Sequence, residues 1–200
     1  MKAVGRDSVE RVYRMEGPKI WRALVAYSGD VDIANDAFSE ALAQALARGD
    51  DLRAPERWIW KVSFRIAAGE LSRRKGQVPF VDSEVVESPE LALDLIRALQ
   101  QITPRQRAVV ILQLYGGFTT AEVATLLGMA QPTVRVHFSQ GGVSDCDDRW
   151  RRAMDELETR FQTLNELVMP DLWLKPKVVQ RAQIGGERNN LMGPDAFWSS

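Results

Sequence analysis

The alternation of apolar and polar positions is helical nearly throughout the chain up to residue 168. Val12, Ile20, Trp21, Leu24 and Val25 predict a first helix from a Ser8 cap to about Tyr27, with Gly17-Pro18 expected to kink or split it. The turn Ser28-Gly29-Asp30 precedes a second helix over 31–47. Its stripe is Ile33, Ala37, Phe38, Ala41, Leu42, Ala45 and Leu46, and Gly49-Asp50-Asp51 ends it. Pro55 opens a third helix to about Arg74, with Trp58, Ile59, Val62, Ile66 and Leu71 facing inward. Residues 75–88 have no sustained period and hold Gly, Pro and Ser, the composition of a linker. Helical spacing resumes over 91–101 and again over 104–115, where Thr103 caps and Pro104 takes the first helical position. With no strand alternation and no internal repeat, the fold class is all-α, two small helical domains joined by a flexible linker.

Residues 117–140, GFTTAEVATLLGMAQPTVRVHFSQ, read as a helix-turn-helix. Thr119 and Glu122 have capping-box spacing, in which two orphan helix N–H groups are satisfied reciprocally. Ala121, Ala124 and Leu127 follow at helical spacing, and Gly128 supplies the left-handed stop that a Cβ would oppose. Pro132 sits in the first turn of the next helix. There Val134 and Phe138 can lock onto the first helix, while Arg135, Val136, Ser139 and Gln140 project the other way. A helix with one apolar side and one row of hydrogen-bonding side chains suits a DNA major groove.

Composition narrows the alternatives. Hydrophobic residues make up 45% and charged residues 26% of 200, ordinary values for a soluble globular protein. Cys146 and His137, the one cysteine and the one histidine, build neither a disulfide framework nor a metal site, so no metal and no cofactor is expected. No apolar run is long enough for membrane insertion, and the first residues lack a secretory signal's apolar core, so a cytoplasmic location is expected. There is no phosphate-binding loop, dinucleotide fingerprint or catalytic triad, and Asp50/Asp51 and Asp147/Asp148 read as solvated loop charges; no enzyme activity is expected. A net charge of −1 means that any DNA binding must come from local basic clusters or from a partner. One such cluster lies on the third helix. It carries Lys61 and Arg65, ends in Ser72-Arg73-Arg74-Lys75, and has Trp58 and Trp60 near its start, a combination that can hold unstacked bases and a phosphate backbone. A core Trp58 and a basic end that complements the helix dipole explain it equally well.

In order and spacing these segments resemble the extracytoplasmic-function group of small two-domain bacterial sigma factors, over about residues 8–140. The carrying stretches are Asp36-Ala37-Phe38-Ser39-Glu40-Ala41-Leu42, Pro55-Glu56-Arg57-Trp58-Ile59, Ile102-Thr103-Pro104-Arg105-Gln106-Arg107, and Thr120-Ala121-Glu122-Val123-Ala124 with Gly128 and Thr133-Val134-Arg135. The resemblance implies a region 2-like domain over 1–75, a linker over 76–88 and a region 4-like domain over 89–168; the tail over 169–200, with Gly185-Gly186, Gly193-Pro194 and scattered Trp173 and Trp198, is expected to be partly disordered. It implies polymerase binding through Asp36, Ser39, Glu40 and Leu42. It implies −10 element contacts from Trp58, Lys61, Arg65, Gly69, Arg73 and Arg74, with the loop 49–54 before that helix. Contacts to the −35 element would come from Thr133, Arg135, Val136, Ser139 and Gln140, with Arg suited to guanine and Gln to adenine. The implied partners are core RNA polymerase and promoter DNA, and the linker would permit an anti-sigma factor to clamp the two domains.

The chain departs from the family pattern in several places. Ser39 stands for a usual Gln and Leu42 for a usual aromatic residue. Arg65 and Gly69 replace amides. Ala130 replaces a Ser or Thr cap, which weakens the recognition helix by about 1 kcal/mol. Where the family continues that helix with several Arg residues, this chain reads Gly141-Gly142-Val143-Ser144-Asp145-Cys146-Asp147-Asp148, and basic character returns at Arg149, Arg151 and Arg152. Three readings stay open: a promoter-specificity subunit of RNA polymerase, a free-standing helix-turn-helix regulator, and a protein-interaction module whose DNA-binding helix has decayed.

Overall fold

The structure, a computed structural model, describes residues 3–74 and 96–141. The expected linker, the Gly/Asp segment after Gly141, the helix expected from the basic residues Arg149, Arg151 and Arg152 to about Val168, and the tail lie outside the described residues. Every described element is helical.

Helix α1 spans Ala3–Ser28 and runs through Pro18 without a break, against the expected split and five residues ahead of the expected Ser8 cap. Packing outweighs the one backbone bond that a proline removes: Val9 and Val12 before it and Ile20 and Leu24 after it are buried in the same core. Gly17 serves a close approach, because a Cβ there would lie 3.3 Å from the Phe38 ring of α2. At the turn, Gly29 has φ +69° and Asp30 caps α2 (Val31–Arg48) by accepting from the Ile33 N–H at 3.0 Å. A short 3-10 turn, Gly49–Asp51, leads to α3 (Pro55–Arg73). The Ala-rich α2 packs between α1 and α3, so its buried face is wide and includes Ser39 and Leu42.

On α3 the inward face differs from the expectation. Trp60 is the fully buried tryptophan, 1% exposed, and Trp58 is half-buried at the rim with the Arg48 guanidinium 5.1 Å from its ring centroid.

In the second module, residues 96–100 are helical, and α4 (Pro104–Val110) starts with a full capping box between Thr103 and Gln106. The expected helix over 104–115 ends in a π-helical turn, Ile111–Tyr115. Its wide geometry, with the Phe118 N–H bonded to the Leu112 carbonyl at 3.0 Å, swings the chain so that Phe118 meets α3. Helices α5 (Thr120–Leu127) and α6 (Gln131–Gln140) complete the fold. One continuous core joins the two modules.

Candidate nucleic-acid interface

The helix-turn-helix is built as its sequence dictates. Thr119 accepts from the Glu122 N–H while the Glu122 carboxylate accepts from the Thr119 N–H at 2.9 Å. These bonds to Thr119, and then the nearby Arg57, hold the Glu122 carboxyl below its usual range. Gly128 takes φ +66° and ψ 35°, the left-handed stop. Ala130 sits in extended N-cap geometry and supplies no side-chain cap to α6.

Val134 is fully buried and Phe138 is half-buried against the core, which fixes the rotation of α6. Thr133, Arg135, Val136, Ser139 and Gln140 are therefore exposed on one side, Val136 with 50% of its surface free. Gln140 is steadied by the Gln106 side-chain amide, which donates to it at 3.4 Å. Such a row, a guanidinium beside an amide and a hydroxyl around one apolar contact, can read base edges by hydrogen bonding and thymine methyls by contact. His137 is half-buried. Burial, and then Arg105, lower its pKa below the ordinary value, and its Nδ1 is enclosed without a hydrogen-bond partner.

The candidate strand-binding face of α3 is more occupied. Trp58, Lys61, Arg65, Gly69 and Arg73 recur every three or four residues along the side that α3 turns away from its core. Lys61 and Arg73 are exposed; Trp58, Arg65 and Gly69 are half-buried. Arg73 pairs with Glu70, and Arg74 pairs with the α2 cap Asp30 at 2.8 Å. Arg74 is thus tied into the fold's own capping network. A cavity of about 550 Å³ opens beside Trp58, with Arg48, Arg53, Arg57 and Lys61 around it. Of these four cations, Arg48 and Arg57 carried no role in the sequence reading, and Arg53 entered it only as part of the loop 49–54. Their signal was present, since three of them flank or lie within the loop ahead of α3.

On α2, Asp36 is exposed and Glu40 is half-buried and accepts from the Gln44 amide at 2.9 Å. Ser39 is 5% and Leu42 2% exposed, because α1 and α3 both close over that side of α2. The four residues expected to meet a partner divide into two at the surface and two beneath it. Among the described residues no group of His, Cys, Asp and Glu is placed to hold a metal ion, and no helix is long and apolar enough to cross a membrane.

Residues 92–141 match the family model for sigma-70 region 4. Over 145 residues the chain is 28% identical to the ECF RNA polymerase sigma factor SigL of Mycobacterium tuberculosis, spanning 64% of this chain and 82% of that protein. Over 125 residues it is 26% identical to the RNA polymerase sigma factor SigV of Bacillus subtilis, spanning 58% of this chain and 75% of that one. The sigma factor RpoE of Bartonella quintana, solved with the anti-sigma factor NepR, shares the fold at a TM-score of 0.55 and 20% identity, covering 76% of this chain and 98% of that one. Motif order, helix-turn-helix geometry and these matches together make the chain similar to sigma factors of the extracytoplasmic-function group.

Proposed function

We propose that this chain is a sigma factor that directs promoter-specific initiation by dividing two promoter elements between its modules. The recognition helix α6 reads the −35 duplex through Arg135, Val136, Ser139 and Gln140, with Thr133 on the backbone. The face of α3 and the loop before it take the −10 strand, with Trp58 as the stacking surface and Lys61, Arg65 and Arg73 along the phosphates. Asp36 and Glu40 provide the outward-facing contacts to core RNA polymerase. Ser39 and Leu42 support that helix from beneath.

The observation that carries the reading is the exposed polar row on α6, held outward by the buried Val134 behind a first helix capped at both ends. A net charge of −1 suits a protein whose grip on DNA is completed by a larger cationic assembly. The finding that RpoE was solved with an anti-sigma factor supports an anti-sigma partner for this chain as well. No step needs a catalytic residue or a cofactor.

The test is run-off transcription from a promoter library with purified core polymerase, with and without this chain. Discrete new transcripts that depend on the chain are expected, with little binding to the same duplexes by the chain alone. Tight, specific duplex binding without polymerase would instead mark a free-standing regulator. Retained polymerase binding with no transcripts would mark an interaction module.

A further inference from the structure

The last turn of the recognition helix is seated on α4. Phe138 packs against the core, and Gly141 comes so close that a Cβ there would stand 2.8 Å from the Val110 Cγ2. Gln140 is thereby held beside α4, where the Gln106 side chain is already committed. The Thr103 N–H and the Thr103 hydroxyl both donate to the Gln106 Oε1, each at 2.9 Å, as part of the capping box. A backbone N–H can only donate, so the Gln106 carboxamide has one orientation, with its oxygen toward Thr103 and its NH2 away from it. That NH2 donates to the Gln140 Oε1 at 3.4 Å.

We propose that Gln106 is a positioning residue that sets the polarity of Gln140, so that Gln140 reads its base pair as a donor and selects guanine. The inference rests on the sigma-factor reading above. A glutamine amide has an acceptor end and a donor end. When both ends reach a base edge it pairs bidentately with adenine, the preference expected from the sequence alone. Here the Gln140 oxygen is bonded on the protein side. The end left for the groove is the NH2, with its two N–H groups.

Major-groove edges answer such a donor differently. Guanine offers two adjacent acceptors, N7 and O6. Adenine offers N7 beside an N6–H2 group that opposes a second donor, thymine offers O4 beside a methyl, and cytosine offers only the N4–H2 donor. The preference therefore runs from guanine first to cytosine last. Polarity passes along a relay in which a main-chain N–H orients Gln106 and Gln106 orients Gln140. Gln106 is half-buried and Gln140 is exposed, so the anchored partner directs the exposed one without itself touching DNA.

The test uses Gln106→Glu in the full chain with core polymerase. Glutamate keeps the capping box, because one carboxylate oxygen still accepts from Thr103. Its other oxygen puts an acceptor where the NH2 stood, so the Gln140 amide turns over and presents its oxygen to the groove. Transcripts are sequenced from a promoter library randomised over the −35 element, and Gln140→Ala first locates the base pair that Gln140 reads. There the wild-type chain is expected to favour guanine over adenine by about fivefold or more. Gln106→Glu is expected to lower the guanine-to-adenine ratio about tenfold and to leave preferences at the other positions unchanged. The added charge weakens binding to all promoters alike and cancels in the ratio. An unchanged ratio overturns the inference, and so does a wild-type preference for adenine. A Gln140→Ala loss that is equal on all promoters marks a phosphate contact and overturns it too.

A second arm needs no promoter. The NMR signals of the Gln140 side-chain amide are followed in the free chain between about pH 3 and pH 6, the range in which an introduced glutamate titrates. In Gln106→Glu they are expected to move with that carboxylate, as the protons of a donor bonded to it must, and to move far less in the wild type. Equal movement in the two chains overturns the relay. A chain that shows the amide shift but directs no transcripts overturns the sigma-factor reading, and the base selection with it, but leaves the relay standing. Transcripts with an unchanged base ratio do the reverse.

Discussion

Helices α3 and α6 are the two candidate DNA-facing surfaces, and they stand in opposite conditions. On α6 a capped turn and one buried valine hold five side chains out in solvent. On and just after α3 three cations are already engaged: Arg73 with Glu70, Arg74 with Asp30, and Arg57 with Glu122 of the other module. A duplex-reading surface can stay exposed at little risk, because base-edge readout in a groove discriminates by itself. A strand-binding surface is sequence-tolerant and electrostatic, and left open it would take up any single strand. The contrast is that the row on α6 is fully presented, whereas the face of α3 is partly occupied by the fold's own carboxylates.

The largest blow to that contrast should come from Arg107→Ala. It leaves the Tyr27 and Ile102 carbonyls without their donor and opens a cavity where Arg107 crosses from α4 to the end of α1. We expect a loss of about 3 kcal/mol in urea unfolding.

Next in size, Arg135→Ala should cost about 2 kcal/mol of discrimination at one base pair of the −35 element. Polymerase binding and unfolding midpoint should stay unchanged, because Arg135 is exposed. Competition transcription on single-base promoter variants measures it.

Smaller again, Ala130→Ser should stabilise the chain by about 1 kcal/mol. The N-cap backbone of α6, at φ −72° and ψ 144°, is already shaped for a hydroxyl that is missing. Thermal unfolding checks this, and a gain in −35 affinity without a change in base preference would show that the cap steadies the reading row.

The smallest effect is on pH. His137 has a folded pKa below its unfolded value of 6.5, so its neutral form is favoured by folding. The associated stability is complete above about pH 6.5 and is lost as pH falls through that value toward the lower folded pKa. His137→Gln should flatten this part of the stability–pH profile, measured by chemical denaturation at successive pH values.

Much of this was legible in the sequence where local chemistry decides. The Thr119/Glu122 box, the Gly128 stop, the Thr103-Pro104 start and the outward row on α6 follow from side-chain spacing over a few residues, and each appears as read. What the sequence concealed depends on contacts far along the chain. The apolar pattern of α3 put Trp58 inward, but Trp60 is the buried one, set between Phe64 of its own helix and Phe118 of the other module. Ser39 and Leu42 looked like surface candidates on an Ala-rich helix until α1 and α3 closed on both sides of it. Pro18 reads as a break locally, and burial on either side overrules it. Arg107 lies in a charged stretch where arginine is normally exposed, so nothing nearby announces that it crosses to α1.

The central claim is that the chain, joined to core polymerase, reads two elements and opens the strands between them and the start site. Permanganate footprinting on a promoter selected from the library tests it most directly. The account predicts reactive, unpaired thymines from the −10 element to the start site with the wild-type holoenzyme. Arg135→Ala should reduce that reactivity in proportion to lost −35 discrimination, and it should recover on promoters carrying the altered base. A holoenzyme that forms yet leaves every promoter's thymines protected would contradict the account.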